Sequence, residues 1–218
     1  MFLSNEPIFL LGLLGIMSYS AYTDFRFRTM WTGVFLYIDI VLFAFYLYFD
    51  TIFAFFIVPI ILEYFIKGKE SFIPYALILI PLIHDPGVVT VSIFLSIIIV
   101  KGGSAFLRIG VGDIKMLEMI AIAIPVYPNL PLVYSIFSPM LLILFIASFL
   151  STLSFVILKI TKWRGVKGWP RRFASGEVME GERHKYWING RTASYKVPLV
   201  LFITIAYGIF VLLTIALL

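Results

Sequence analysis

The sequence contains no cysteine and only two histidines, His84 and His184. Without cysteine the chain forms no disulfide, binds no metal through thiolates and has no thiol nucleophile. The two histidines stand far apart in the chain, whereas a zinc site gathers several nitrogen or sulfur ligands, so we expect no metal and no cofactor. Any chemistry must therefore use carboxylates, hydroxyls, amines or the backbone.

Charge is also scarce, because only 13% of the 218 residues are charged, while 61% are hydrophobic and 17% are aromatic. A soluble domain of this length would carry more charge on its surface, and several apolar runs approach the roughly 20 residues needed to cross a bilayer. The composition predicts an all-α polytopic membrane protein. The first apolar run, 7–22, lacks the basic start and small-residue exit of a secretory signal, so we assign it to the first helix.

The apolar runs predict six transmembrane helices, with up to eight candidates. The runs are 7–23, 30–49, 51–66, 72–84, 88–100, 113–128, 131–158 and 197–218. The pair 72–84 and 88–100 is short for full crossings, and a thin hairpin, a re-entrant pair and tilted interfacial helices are all compatible with it. The expected domains are a helical bundle over 1–160, a polar domain over 161–196 and a last transmembrane helix over 197–218.

The charges between these runs separate by sign. Threading the chain through the runs puts the basic connections on one side and puts Glu6, Asp50 and Asp85 on the other. By the positive-inside rule the basic side is cytoplasmic, which predicts a multi-pass protein of the cell membrane with its N-terminus outside. The assignment is the same whether 72–100 crosses twice or not at all.

The polar segment 161–196 predicts a small cytoplasmic β subdomain. Asn189-Gly190 between two runs of strand-forming residues is typical of a hairpin with a type I′ turn. From Lys159 to Lys196 there are ten basic and three acidic residues, a balance that favours contact with anionic lipid headgroups. Nucleic-acid binding is the alternative, and we expect none, because the segment has neither a recognition helix nor a repeated aromatic platform.

Five acidic residues fall within or near the apolar runs: Asp24, Asp39, Glu63, Asp113 and Glu118. A carboxylate in hydrocarbon costs roughly 2.5–3.5 kcal/mol, so such residues usually face protein or water. Asp24 ends the first run and Asp113 begins a later one, so we expect both at one depth, near the cytoplasmic face. Two carboxylates at one site share a proton, which prepares one as general base and the other as general acid for amide hydrolysis.

Structural interpretations compete with these functional ones, and for Asp24 the alternative is an ordinary interfacial residue at a helix end. Asp113 is a favourable charge at a helix N-terminus. Asp39 lies deeper than the proposed pair, and we expect it to bond to a neighbouring helix. Glu63 is placed to reach Lys67 at the i+4 position. Glu118, five residues beyond Asp113, is retained as a supporting candidate.

Asp113 stands within the motif Gly110-Val111-Gly112-Asp113-Ile114-Lys115. Glycines at 110 and 112 permit positive φ and let a strand or a substrate backbone come close. Lys115 has two interpretations that the residues leave open. Its ammonium either extends toward the cytoplasm or biases the ionisation of the paired acids.

This motif, G-x-G-D-x-K, together with Asp24-Phe25-Arg26 at the end of the first run, resembles the G-x-G-D aspartyl peptidases of membranes, and most closely the type IV prepilin peptidases. The resemblance implies an aspartic endopeptidase with Asp24 and Asp113 as catalytic residues and Gly110, Gly112 and Lys115 as supporting residues. It implies cleavage of a short basic leader from a hydrophobic precursor at the cytoplasmic membrane boundary.

Bacterial members usually carry paired Cys-x-x-Cys motifs and also methylate the new N-terminus, and this cysteine-free chain gives no reason to expect methylation. Short, cysteine-free members are typical of archaea. The resemblance therefore implies a preflagellin peptidase, whose partners are preflagellin or pilin-like precursor proteins.

Two other classes of function compete with a peptidase. An ion- or proton-coupled transporter would use Asp24, Asp39 and Asp113 as its path, and it predicts internal repeats that the motifs do not show. A noncatalytic membrane scaffold would present the basic segment 161–196, but it leaves the paired acids unexplained.

Overall fold

The computed structural model describes residues 6–27, 32–66, 68–106, 110–128, 130–161, 186–189, 192–195 and 198–216. Over these residues the chain is helical apart from one short strand pair, as the sequence predicts. The α-helices are α1 (Pro7–Phe27), α2 (Gly33–Phe49), α3 (Thr51–Leu62), α4 (Leu79–His84), α5 (Val88–Phe106), α6 (Val111–Ala123), α7 (Pro139–Thr161) and α8 (Leu199–Ala216). Two 3₁₀ segments are Gly68–Ile78 and Leu132–Ile136, and the strands are β1 (Tyr186–Asn189) and β2 (Thr192–Tyr195).

Among the described helices, α1 and α8 are long and apolar enough to cross a membrane. Five further apolar helical stretches have 10–17 residues. At about 1.5 Å per residue, such stretches are shorter than the roughly 30 Å hydrocarbon core of a bilayer. Six spans and their orientation therefore stay predictions.

The end of α6 and the start of α7 differ from those that hydropathy predicts, and a proline lies at each of them. The apolar run 113–128 predicts a longer helix, but α6 ends at Ala123, because Pro125 disfavours helical backbone at the residue before it, Ile124, where φ is −130° and ψ is 70°. The run 131–158 predicts an earlier start for α7, which begins instead at Pro139. There the Ser138 hydroxyl accepts a hydrogen bond from the backbone N–H two residues later at 3.2 Å, as helix-capping serines do.

Helix α5 continues to Phe106, beyond the predicted end at 100. The sequence suggests an end there because Lys101 is charged and is followed by two glycines. In the structure Lys101 is only 7% exposed, and its ammonium pairs with carboxylates inside the protein. The helix therefore carries this charge into the bundle rather than ending before it.

Helices α2 and α3 form a helical hairpin with a single connecting residue, Asp50. Its carboxylate accepts a hydrogen bond from the backbone N–H of Ile52 at 3.2 Å and so caps the start of α3. Because the chain reverses here, the segment after α3 returns alongside the middle of α2. Tyr64 thereby reaches Asp39.

Helices α1 and α8 pack against each other in antiparallel directions. The Tyr207 hydroxyl donates to the carbonyl oxygen of Leu10 at 3.0 Å, and the Thr204 hydroxyl donates to that of Met17 at 3.2 Å. Residue numbers rise along α8 as they fall along α1, so the start of α8 lies beside the end of α1. Asp24 belongs to that end of α1.

Helix α6 is the central helix of the bundle, with contacts to α2, α3, α5, α7 and α8. Residues 115–126 are all buried. The Tyr46 hydroxyl donates to the carbonyl oxygen of Ile122 at 3.0 Å and joins the end of α2 to the end of α6. Asp113, in the first turn of α6, thus stands at the start of the most enclosed of the described helices.

The strands β1 and β2 are antiparallel, with Tyr186 opposite Tyr195 and Asn189 opposite Thr192. A hairpin is expected in this region, but the predicted turn, with Asn189 as its first central residue, is wrong by one position. Asn189 belongs to the strand pairing, because the register leaves residues 190 and 191 between the paired ends. The remaining residues of the predicted β subdomain, 162–185, 190–191 and 196, lie outside the described residues.

Candidate active site

Asp113 is the third residue of α6, and two backbone amides hold its carboxylate. The N–H of Gly110 donates to Oδ2 at 3.1 Å, and the N–H of Val200, in the first turn of α8, also donates to this group. Amides at the start of a helix have no acceptor within the helix, so a carboxylate can satisfy them. Asp113 is an acidic residue in the first turn of a helix, as predicted. Its carboxylate also joins α6 to α8.

Gly110 makes room for the Asp113 carboxylate. Its φ of −66° and ψ of 144° are available to any residue, so a positive φ is not the reason for glycine here. A Cβ at this position would lie 2.8 Å from Asp113 Oδ2, closer than real Cβ contacts. The space that a side chain would use at Gly110 is therefore occupied by the Asp113 carboxylate. Gly112 is the second residue of α6.

Replacing Gly110 by alanine is expected to push the Asp113 carboxylate out of its place while leaving the helices intact. A misplacement of about 1 Å can lower an enzymatic rate by about 100-fold, so we expect precursor cleavage to fall by about 10- to 100-fold. Initial cleavage rates and circular dichroism measure the two effects. Gly12→Ala in α1 is the matched control, because nothing lies within 4 Å of a Cβ added there. Equal rates for the two variants would contradict this role for Gly110.

Asp24 lies in the last part of α1, is half-buried and makes interactions of its own. Asp24 is near enough to contribute to the electrostatics of the Asp113 carboxyl group. The antiparallel pairing of α1 with α8 explains the approach, since Val200 at the start of α8 also contacts Asp113. The structure thus brings together the two acids that the sequence places at matching ends of different helices.

Lys115 faces away from Asp113. Two residues along a helix correspond to a rotation of about 200°, which places the two side chains on opposite faces. Lys115 is only 2% exposed, and its Nζ lies 2.5 Å from Glu63 Oε2 and 3.1 Å from Glu118 Oε2. The predicted extension toward the cytoplasm is therefore wrong. The Lys115 ammonium is held by Glu63 and Glu118 on the other face of α6.

Lys115 belongs to a buried charge cluster of Lys101, Lys115, Glu63, Glu118 and Tyr75. Lys101 pairs with Glu63 and lies 3.3 Å from Glu118 Oε1. The Tyr75 hydroxyl lies 2.8 Å from Glu63 Oε2 and 2.7 Å from Glu118 Oε1. Two ammonium groups balance two carboxylates, so the charge cluster is neutral as a whole. It connects the end of α3, the 3₁₀ segment before α4, the end of α5 and the start of α6.

The partners of the two glutamates differ from those expected. Glu63 pairs with Lys101 and Lys115, whereas the predicted partner Lys67 lies outside the described residues. Glu118 is fully buried in the charge cluster and does not support Asp113 directly. One of these contacts could be predicted from the sequence, because Lys115 and Glu118 stand three positions apart and so share a helix face. The pairings between helices left no comparable pattern.

Asp39 is fully buried in α2. Its Oδ2 accepts a hydrogen bond from the Tyr64 hydroxyl at 3.2 Å, whereas the prediction is a bond to a neighbouring helix, and Tyr64 lies two residues beyond the end of α3 at Leu62. Its Oδ1 has no hydrogen-bond partner among the described residues. The Lys115 ammonium lies 4.6 Å from the centre of the Tyr64 ring, so Tyr64 links Asp39 to the charge cluster.

The site offers two carboxyl groups within electrostatic range of each other and two backbone amides that orient one of them. Such a set can move protons to and from a bound water and an amide. Among the described residues, no group of three or more potential metal-ligating side chains is present. Comparison with family models, with curated proteins and with solved structures finds no match for this chain.

Proposed function

We propose that this protein is an aspartic endopeptidase that removes the short basic leader of preflagellin or pilin-like precursors at the cytoplasmic boundary of the membrane. One observation carries the proposal. Asp24 lies near the end of α1, which packs beside the start of α8, and Asp113 accepts a hydrogen bond from Val200 in the first turn of α8, so both acids belong to one end of the bundle. They are also the two acids of the motifs that resemble the G-x-G-D peptidases.

The chemistry follows from two carboxyl groups that share one site. Double ionisation is disfavoured, so the pair holds one proton and titrates as a unit. The ionised member takes a proton from water while the water oxygen bonds to the scissile carbonyl carbon, and the protonated member donates to the carbonyl oxygen. When the C–N bond breaks, the protonated member donates its proton to the leaving amine and a hydroxyl of the tetrahedral intermediate returns a proton to the other member, so the pair again holds one proton.

The position of the acids supports cleavage at a membrane boundary. Asp24 lies near the end of α1, Asp113 lies in the first turn of α6, and Val200 lies in the first turn of α8. All three belong to one end of the bundle. Water reaches an end of the bundle more easily than its middle. A precursor helix lying beside the enzyme in the membrane would present its leader junction at this depth.

Exposed apolar side chains support the membrane location. Examples on three different helices are Tyr48, Phe145 and Leu212, which are 81%, 70% and 70% exposed. In water such surfaces promote association, whereas lipid solvates them. Together with α1 and α8 they favour a multi-pass protein of the cell membrane. The basic segment 161–196 would then lie near anionic headgroups on the cytoplasmic side.

The test is cleavage by the purified full chain in detergent. The substrate is a preflagellin-like precursor with a basic leader followed by a hydrophobic helix, and mass spectrometry identifies the products. We expect two fragments divided at the leader junction. If the precursor stays intact under conditions in which it is soluble, the peptidase proposal is wrong. Proton uptake into vesicles containing the protein, without cleavage, would favour the ion-coupled transporter instead.

A further inference from the structure

We propose that Lys115 is a positioning residue, whose buried ammonium ties α6 to the end of α3 through Glu63 and thereby fixes the place of Asp113 on the opposite face of α6. The importance of this contact for catalysis rests on the proposed function. The positional effect itself is a property of the fold and can be measured without any substrate.

The two faces of α6 carry different kinds of contact at its start. On one face Lys115 and Glu118 meet Glu63 and Lys101, which come from the ends of α3 and α5. On the other face Asp113 meets Asp24 and the start of α8. Two residues correspond to a rise of about 3 Å, so a shift or rotation of α6 at Lys115 moves Asp113 by nearly the same amount.

Charge pairing restrains α6 more specifically than its apolar contacts do. Residues 116–124 are buried, with Glu118 as the one charged residue among them. Apolar burial is non-directional and does not require one particular partner for a given side chain. A buried ammonium, by contrast, must keep its carboxylates within bonding distance, because an unpaired charge in the interior is costly. The contacts of Lys115 with Glu63 and Glu118 therefore define the rotation of α6 at the end that carries Asp113.

Two double variants each remove one ammonium and one carboxylate of the charge cluster. Comparing them separates the loss of the tie between α6 and α3 from the loss of a lysine as such. Lys115→Met with Glu118→Gln leaves Lys101 paired with Glu63, which joins α5 to α3 but leaves α6 without a charged tie. Lys101→Met with Glu118→Gln leaves Lys115 paired with Glu63 at 2.5 Å, so α6 stays tied to α3. Both variants keep one ammonium and one carboxylate and remain neutral.

The readout is the distance between α1 and α6. Because the chain has no cysteine, Tyr22→Cys and Val111→Cys would be the only two sites that take spin labels, and both positions are exposed. Pulsed electron paramagnetic resonance then gives the distribution of distances between the labels. We expect a broader or shifted distribution with K115M/E118Q and the parent distribution with K101M/E118Q. In unlabelled protein, cleavage should fall by about 10- to 100-fold in the first variant only.

Identical distance distributions in the two double variants would overturn the proposal. If K115M/E118Q does not fold, Lys115→Gln with Glu118→Gln replaces it, and an unchanged distribution there has the same meaning. Unfolding of every double variant would also overturn it, since the lysines would then be needed by the whole fold. If the wild-type chain cuts no precursor while the distance still changes, the positioning role stands and only the peptidase proposal fails.

Discussion

Replacing Asp113 by asparagine is expected to lower the rate of precursor cleavage by about 10²- to 10⁴-fold, the usual contribution of a general acid or base. Asparagine has nearly the same shape, and its carbonyl oxygen can still accept the N–H bond from Gly110. It cannot take a proton from water, so the acid–base chemistry is lost. Asp24→Asn should have the same effect, because the pair needs both members. Single-turnover cleavage rates measure both losses.

The double variant D24N/D113N is expected to be no slower than either single variant, because residues that act as a unit do not contribute additively. Asp39→Asn and Asp85→Asn are the matched controls. Asp39 is buried against Tyr64, and Asp85 is exposed between α4 and α5. Both controls should keep most of the cleavage activity. Full activity in D24N or D113N would remove the dyad assignment, and a folded but inactive D39N would show that Asp39 has a catalytic role.

Replacing Lys115 by methionine alone is expected to lower the free energy of unfolding by about 3–5 kcal/mol, the usual cost of breaking a buried ion pair. The variant leaves Glu63 and Glu118 with Lys101 as the only ammonium of the charge cluster, so a buried negative charge is uncompensated. Unfolding of the purified protein in detergent, followed by circular dichroism against denaturant, measures this loss.

Adding Glu118→Gln to Lys115→Met is expected to recover most of that stability. The second substitution removes the uncompensated charge, and the glutamine oxygen can still accept the hydrogen bond from Tyr75. Replacing all the charged groups of a buried ion pair often leaves the free energy of unfolding unchanged, whereas removing one partner lowers it. A double variant no more stable than K115M would show that the loss comes from packing around residue 115 instead of from charge imbalance.

Local residues explain why some features of the fold could be predicted. Apolar runs indicate helices, and they place Asp24 and Asp113 at the ends of two of them. The ends of α6 and α7 are also local, since Pro125 and Ser138-Pro139 act on their immediate neighbours. Hydropathy misplaced these ends only because it does not register the effect of proline on the backbone.

The charge cluster shows what local patterns do not contain. Lys115 and Glu63 are 52 residues apart, and Lys101 and Glu63 are 38 residues apart. From the sequence, a lysine near a helix end suggests an ammonium in water, because a lone buried charge is costly. That cost is offset only when opposite charges from other helices arrive at the same place.

The sequence by itself therefore determined the helical segments, the scarcity of groups able to do chemistry, and the acids that stand at matching helix ends. Tertiary structure decided which side chains meet. It directed Lys115 inward to Glu63, and it used the space beside Gly110 for the Asp113 carboxylate. The physical reason is that helical periodicity assigns each side chain to a face, while the packing of distant helices decides what lies opposite that face.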